Sequence, residues 1–377
     1  MNKRSKIIAI CLSALLAVGA VSPVFADETQ VLTLESMNEM ALKSNTSMKI
    51  LNIQLEREKS EYVSATAISK SLATNFDIDD AFTYNDKLNL ELTPLTKEKD
   101  YLDKMYDVLK MENEIDYNVK KMYFEYLNLK EDLQSKKEYY DFMDSKSSAK
   151  ATELEVGQIT QLAYDEFQKS YKQSFIDYVK AVNAEESKTR EINVYLGQDP
   201  TKDIEIAITE MPEIKLGDLN LDTLTEKVEN NSYQVDALIK SMDIKEKEIF
   251  LKQRFKGFGD KAIEMALAED EVVELESKIS DMKRTLKFDL YSKYNDALVA
   301  IEDITLKQLE YDLAERSYEI DRLKYENGLI SLIDLTESRR NYEDSQYGIN
   351  SAKLSYYLIV ENFNNFVSEN TTVLDVE

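Results

Sequence analysis

The sequence predicts an all-α protein built from long helical hairpins in two repeats, with at most short β segments. Three observations predict it. Helix breakers are scarce, with 8 Gly and 4 Pro in 377 residues, too few for a sheet-rich fold full of tight turns. Apolar residues recur at spacings of three and four, as along Met105, Tyr106, Leu109, Met122, Tyr126, Leu129 and Leu133, which puts them on one helical stripe. The chain also resembles itself at two fixed offsets, so each half reads as a copy of the other.

Composition excludes several classes of function. There is no His, so Ser-His-Asp and Cys-His catalysis and imidazole metal sites are unavailable. A net charge of −25 argues against a nucleic-acid partner, which needs a basic face for phosphates.

Residues 1–26 read as a secretory signal peptide. Lys3, Arg4 and Lys6 form a basic start, Ile7 to Ala20 an apolar run, and Val24-Phe25-Ala26 a small-x-small cleavage site. The alternative is an uncleaved anchor, but the run is shorter than the ~20 residues a spanning helix needs. Cys11, the single cysteine, lies inside this run behind Ile10 rather than a small residue, which argues against a lipoprotein site. An exported remainder would hold no Cys, hence neither disulfides nor thiol chemistry. No later segment is apolar for long enough to span a bilayer as a helix.

The first repeat is placed at 27–196. It begins with a medium helix at about 34–70 and a crossing from Leu72 to Pro94, where Leu88, Leu90 and Leu92 alternate in a strand-like way. A long helix at about 95–155 follows, then a turn at Gly157 and a helix at about 160–196. Gly197, Pro200, Pro212 and Gly217 gather in a linker, 197–217, with a short extended piece from Ile204 to Ile208. The second repeat, 218–377, has helices at about 221–255, 261–326 and 331–367, a short turn at Arg254–Asp260 in place of the crossing, and the hairpin turn at Gly328.

The copies align directly. Leu34-Glu35-Ser36-Met37 falls on Leu221-Asp222-Thr223-Leu224, and at that offset Ala41, Met48, Leu51 and Leu55 fall on Val228, Val235, Leu238 and Met242. Glu155-Val156-Gly157-Gln158-Ile159-Thr160 falls on Glu326-Asn327-Gly328-Leu329-Ile330-Ser331 at a smaller offset, so the second copy is shorter in its middle. A helix of about sixty residues is ~90 Å long. It must lie along partners in a coiled coil or bundle.

This layout resembles the TolC family of outer-membrane efflux and secretion channels. Leu32-Thr33-Leu34-Glu35 followed by Ala41-Leu42-Lys43-Ser44-Asn45 resembles the family's opening helix, and Tyr195-Leu196-Gly197 the end of its first half. Tyr325-Glu326-Asn327-Gly328-Leu329-Ile330-Ser331-Leu332-Ile333-Asp334-Leu335 is similar to its second hairpin; Glu153 to Leu162 matches the first less closely. The resemblance implies a homotrimer whose three chains make a twelve-helix tunnel, a TolC-like α-helical coiled-coil barrel. It implies docking of adaptor proteins and an inner-membrane ABC or proton-driven exporter at the hairpin end, and a membrane-crossing β-barrel with two strands per repeat. Such a strand needs ~9–11 alternating residues. The runs at 72–94 are short and interrupted by Asp77, Asp79 and Asp80, and 254–260 is a turn. A reduced or missing barrel is therefore the expectation here.

Few residues stand out as sites. Gly157 and Gly328 read as helix C-caps with φ above zero; the resemblance adds that they form the tip where partners dock. Ser331 reads as the helix cap at the second hairpin, in a capping box with Asp334. Asp334 and Glu337 match positions where the family places entrance acids, so three chains would bring them into an acidic ring; capping and the helix dipole explain Asp334 equally. The first copy carries Ala163 and Glu166 at these positions, and Ile330 stands where some members carry a basic latch. Tyr101, Tyr117, Tyr291, Tyr294 and Tyr318 lie at stripe or stripe-edge positions and read as packing residues, with pore lining or peptidoglycan contact as the alternative. Glu185-Glu186 and Glu269-Asp270-Glu271 read as solvated faces.

The sequence holds no recognisable glycosidase acid pair, phosphate loop or Ca²⁺ loop, so neither an enzyme nor a cofactor is expected. The expected function is an exported, TolC-like channel component of an efflux or type I secretion system in the cell envelope. The other reading is a non-conducting extracytoplasmic coiled-coil scaffold or binding protein.

Overall fold

The computed structural model of the protein describes residues 31–75, 82–213, 216, 220–257 and 261–375. The expected signal segment, residues 76–81 of the crossing, Gly217 and Gly259 lie outside the described residues.

Helices dominate. Thr33 opens α1 (Leu34–Ser44) with a capping box to Ser36, and α2 (Thr46–Asn75) follows. A four-residue α3 (Tyr84–Lys87), capped by Thr83 and Asp86, runs into a π-helical turn at Leu88–Leu92 and then into α4 (Thr93–Glu155). A return helix, α5, spans Gln161–Tyr195. The second half has α6 (Leu221–Asn231), α7 (Tyr233–Phe255), α8 (Lys261–Glu326) and α9 (Leu332–Thr371). At 63 and 66 residues, α4 and α8 are each about 95–100 Å long.

The doubt about strands in the crossing holds among the described residues: Leu88, Leu90 and Leu92 form the π turn, and Tyr84 to Glu155 is helical throughout. A run of five residues is too short for its period to separate the two conformations. One expectation fails: the opening helix of each repeat is two helices, broken at Asn45 (φ −62°, ψ 117°) and at Ser232 (φ −65°, ψ 126°). These are equivalent positions of the two copies. No Gly or Pro marks either break. The Asn45 carboxamide oxygen takes the Met48 amide at 2.9 Å, and the Ser232 hydroxyl binds Asn370 at 2.7 Å.

The only strands among the described residues are β1 (Val31–Leu32) and β2 (Glu205–Ile206), paired in parallel. Tyr123 reaches them from α4, donating to the Ala207 carbonyl at 2.6 Å and meeting Thr209 Oγ1 at 3.1 Å. Its ring lies in the largest apolar core, among Met37, Ile115, Val119, Phe124, Ile192 and Ile206. Among the described residues no helix is long and apolar enough to cross a membrane.

The helices form one elongated layer. Near the hairpin turns its order is α5–α4–α9–α8; at the other end it is α2–α4–α7–α8. The seams inside each hairpin are largely apolar, whereas the α4–α9 seam between repeats adds to an apolar strip, Phe124 against Tyr357 with Leu354 and Leu358, a row of polar pairs. There Asn113 meets Glu369 at 3.0 Å, Lys120 meets Glu361 at 2.5 Å, and Asn128 meets Ser351 at 3.3 Å. Glu131 accepts from Gln346 and Asn350, and Lys136 binds Asp344 at 2.9 Å. Of the singled-out tyrosines, Tyr101 stacks on Tyr62 and Tyr318 on Tyr342, Tyr294 is tilted against Phe363, and Tyr117 joins the main core, whereas the Tyr291 hydroxyl donates to Asp222 at 3.4 Å.

The layer has two open edges, and both are apolar. On α8, Val299, Leu306, Leu313 and Ile320 recur every seven residues, flanked by Leu309 and Leu323, each more than half exposed. That is a heptad seam without a partner helix. The opposite edge exposes Ile50, Ile53, Val63 and Ile68 of α2 and Leu162, Phe175, Ile176 and Val179 of α5.

Candidate functional site at the hairpin tips

Both long helices end alike. The Gly157 amide bonds the Leu154 carbonyl at 3.0 Å and the Gln158 amide the Glu153 carbonyl at 2.8 Å. In the second copy the Gly328 amide bonds Tyr325 at 2.9 Å and the Leu329 amide bonds Lys324 at 2.8 Å. Each is a Schellman motif, which needs its C′ residue in the left-handed region; Gly157 has φ 74° and Gly328 φ 70°. A methyl group at either glycine would meet nothing within 4 Å, so backbone conformation alone selects glycine there. Gly197 ends α5 in the same motif with φ 71°, but its added Cβ would lie 2.7 Å from Ser44 Cβ.

The chain re-enters helix within three residues. Ser331 caps α9: its hydroxyl accepts the Asp334 amide at 3.2 Å, and an Asp334 carboxylate oxygen accepts from the Ser331 amide and hydroxyl at 2.9 Å each. In the first copy Thr160 accepts the Ala163 amide at 3.2 Å, and the Ala163 methyl offers no acceptor to complete a box.

Asp334 and Glu337 are exposed and line one groove between α8 and α9 of about 490 Å³, together with Asp321, Asp344, Asn341 and Arg340. Positions 334, 337, 341 and 344 follow one helical face, so Asp344 was within reach of sequence reasoning; Asp321 comes from the neighbouring helix and was not. Lys324 donates to Asp321 at 2.7 Å and holds its carboxyl below the usual range. Arg340 reaches Asp177 of α5 at 3.3 Å and so links the two hairpins. Among the described residues no cluster of ligating side chains suits a metal ion.

Behind the tips an aromatic cluster joins the hairpins: Tyr139, Met143, Phe167 and Leu332, with Phe142, Tyr171 and Tyr325 against them. The Arg339 guanidinium lies over the rings of Tyr139 and Phe142 and bonds Glu343 at 2.8 Å. Burial pushes the Glu343 carboxyl up against the pull of Arg339 and Lys136, and burial likewise raises Asp132 across the seam. This buried ionic group had no signal in the sequence, because its members come from distant helices. At the tips Val156, Leu162 and Leu329 are left in solvent at 63%, 68% and 74% exposure.

No protein-family model matches the sequence, and neither does any curated protein. Solved structures do match. The Campylobacter jejuni CmeC outer membrane channel superposes with a TM-score of 0.68 at 13% identity, over 94% of this chain and 92% of that one. The outer membrane protein VceC of Vibrio cholerae gives 0.64 at 10% identity, over 90% and 95%. The Neisseria gonorrhoeae MtrE outer membrane channel, in its open state, gives 0.62 at 11% identity, over 90% and 89%. The likeness runs the length of both partners while the residues differ almost everywhere, so what is shared is architecture: this chain has the TolC-like fold of bacterial outer membrane channels.

Proposed function

We propose that this protein is an exported channel component of an efflux or type I secretion system, closing as a homotrimer into an α-helical conduit. One observation carries the reading: a four-helix layer left open at both edges, with an unpartnered heptad seam on α8 and apolar side chains on α2 and α5. Unlike edges that complement each other make a heterologous contact, and such contacts close into rings when the rotation allows. The resemblance and the shared fold support a count of three. The exposed apolar tips around Gly157 and Gly328 are then the docking points for an adaptor and an inner-membrane exporter. Asp334 and Glu337, repeated around the axis, supply an acidic entrance that favours cations. The conduit itself performs no catalysis and works in the cell envelope.

Mass photometry and crosslinking of the purified protein test the assembly, with trimers expected. A strict monomer at micromolar concentration overturns the proposal.

A second reading, a non-conducting envelope scaffold, draws on the weak strand signals at 72–94 and 254–260 and on the helical path from Tyr84 to Glu155. Planar-bilayer conductance separates the two: a trimer that never opens pores, and never restores export to a channel-less strain, favours the scaffold.

A further inference from the structure

Away from the tips, the linker roofs a groove over the α4–α9 seam, with a volume of about 970 Å³. This lies at the upper end of the range for small-molecule sites. Its floor is apolar: Phe124, Leu127 and Leu133 of α4, Tyr178 of α5 and Leu354 of α9. Ile208 and Met211 overhang it from the linker. That roof is anchored, because Tyr123 holds Ala207 and Thr209. Ile208 is nevertheless 80% exposed, an apolar side chain held over an apolar floor without covering it.

The rim is basic in a protein of net charge −25. Lys130 and Lys137 stand two turns apart on the groove-facing stripe of α4, about 10 Å along the axis, and Lys353 faces them from α9. Lys137 and Lys353 have no ion-pair partner among the described residues, and Lys130 has only the Tyr126 ring at 5.9 Å. Elsewhere on this seam the lysines are committed: Lys120 to Asp116 and Glu361, Lys136 to Asp344. Against these three lysines stand two acids, Glu131, which accepts from Gln346 and Asn350, and Glu210, so the rim keeps one net positive charge. An apolar floor with ammonium groups in excess at its edge is complementary to a molecule that is apolar along its length and anionic at one end. An acidic peptide would match the lysines but not the floor.

We propose that this groove is a binding site for a single-chain anionic amphiphile, with the apolar chain on the Phe124–Leu127–Leu354 floor and a carboxylate or phosphate head between Lys137 and Lys353. The proposal does not depend on conduction or on trimer formation.

Titration calorimetry of the purified protein with dodecanoate, dodecyl phosphate and dodecanol, the anions below their micelle concentrations and dodecanol below its solubility limit, tests it. Both anions are expected to bind saturably, with dodecanol at least tenfold weaker; the tighter anion identifies a fatty-acid or a phospholipid-type head. The double variant Lys137→Glu/Lys353→Glu should lose at least tenfold for the anions and leave dodecanol unchanged. Ile208→Asp, at an exposed position that does not threaten folding, should weaken both anions severalfold. Absence of saturable binding, dodecanol binding as tightly as the anions, or unaltered anion affinity in the double lysine variant overturns the proposal.

Discussion

Gly157, Gly197 and Gly328 share one backbone conformation, with φ of 74°, 71° and 70°, but not one environment, and that permits a differential test. Replacing any of them by Ala places a Cβ in the left-handed region, at a cost of roughly 1–2 kcal/mol. At Gly157 and Gly328 nothing further happens, because the added carbon meets open space. At Gly197 it lies 2.7 Å from Ser44 Cβ, well inside contact distance. Relief must come from moving α1 against α5, an overpacking cost of about 1–3 kcal/mol more. Gly197→Ala should therefore destabilise by about 2–5 kcal/mol in total. Ser44→Gly should recover the steric part in the double variant. Taken alone it loses the Ser44 bonds to the Ala41 and Tyr195 carbonyls, at 3.2 Å each, about 0.5–1.5 kcal/mol apiece. The readout is the coupling energy in a double-mutant cycle from guanidinium unfolding of the four proteins. Equal losses for the three alanine variants, or a cycle with no favourable coupling between positions 44 and 197, would refute the steric argument.

Other outcomes follow from the same structure. Leu306→Glu with Leu313→Glu puts two charges into the α8 heptad seam and should shift the assembly to monomers in mass photometry while leaving the helical circular-dichroism signal intact. Ser331→Ala removes the capping box and should cost about 1 kcal/mol, read as faster hydrogen exchange in the first turn of α9; Thr160→Ala breaks a single bond and should cost less. Glu343 has its carboxyl raised by burial, so the folded protein holds that proton more tightly than the unfolded chain does. Stability from this group is complete below the ordinary carboxylate range and is lost as pH rises through the raised value. The stability of Glu343→Gln relative to the parent should therefore increase with pH and then level off, as measured by unfolding midpoints between pH 4 and 8; a difference that falls with pH would reverse the assignment.

The long helices and their ends could be read from sequence because their causes are local. Gly157 and Gly328 are the only glycines near turns of matched flanking sequence, and apolar spacing runs unbroken into both. The break at Asn45 is also local, made by its carboxamide capping Met48, whereas the Ser232 hydroxyl caps nothing and is held by Asn370 of α9; neither break interrupts a hydrophobic stripe, so the pattern is unchanged. The π turn at Leu88–Leu92 could not be told from a short strand, because alternation over five residues fits either periodicity. Less of the candidate site could be foreseen. Asp334 and Glu337 lie on one helix and could be paired by counting, whereas Asp321, Arg340 with Asp177, and Glu343 with Lys136 meet only once α4, α5, α8 and α9 are laid side by side. The groove under the linker needs three separated segments and has no one-dimensional trace.

The polar pairs along the α4–α9 seam have a consequence for alignment. Two smooth apolar helices nearly 100 Å and 60 Å long could slide past each other by one turn and still bury similar surface. Here Asn113–Glu369, Lys120–Glu361, Asn128–Ser351 and Lys136–Asp344 are spread along the contact, and a one-turn slip would unmake all of them together. The pairs act as the teeth of a rack. They set the height of one hairpin against the other: from Lys136–Asp344 the first turn lies 21 residues on at Gly157 and the second 16 residues away at Gly328, so the first projects about 7 Å further.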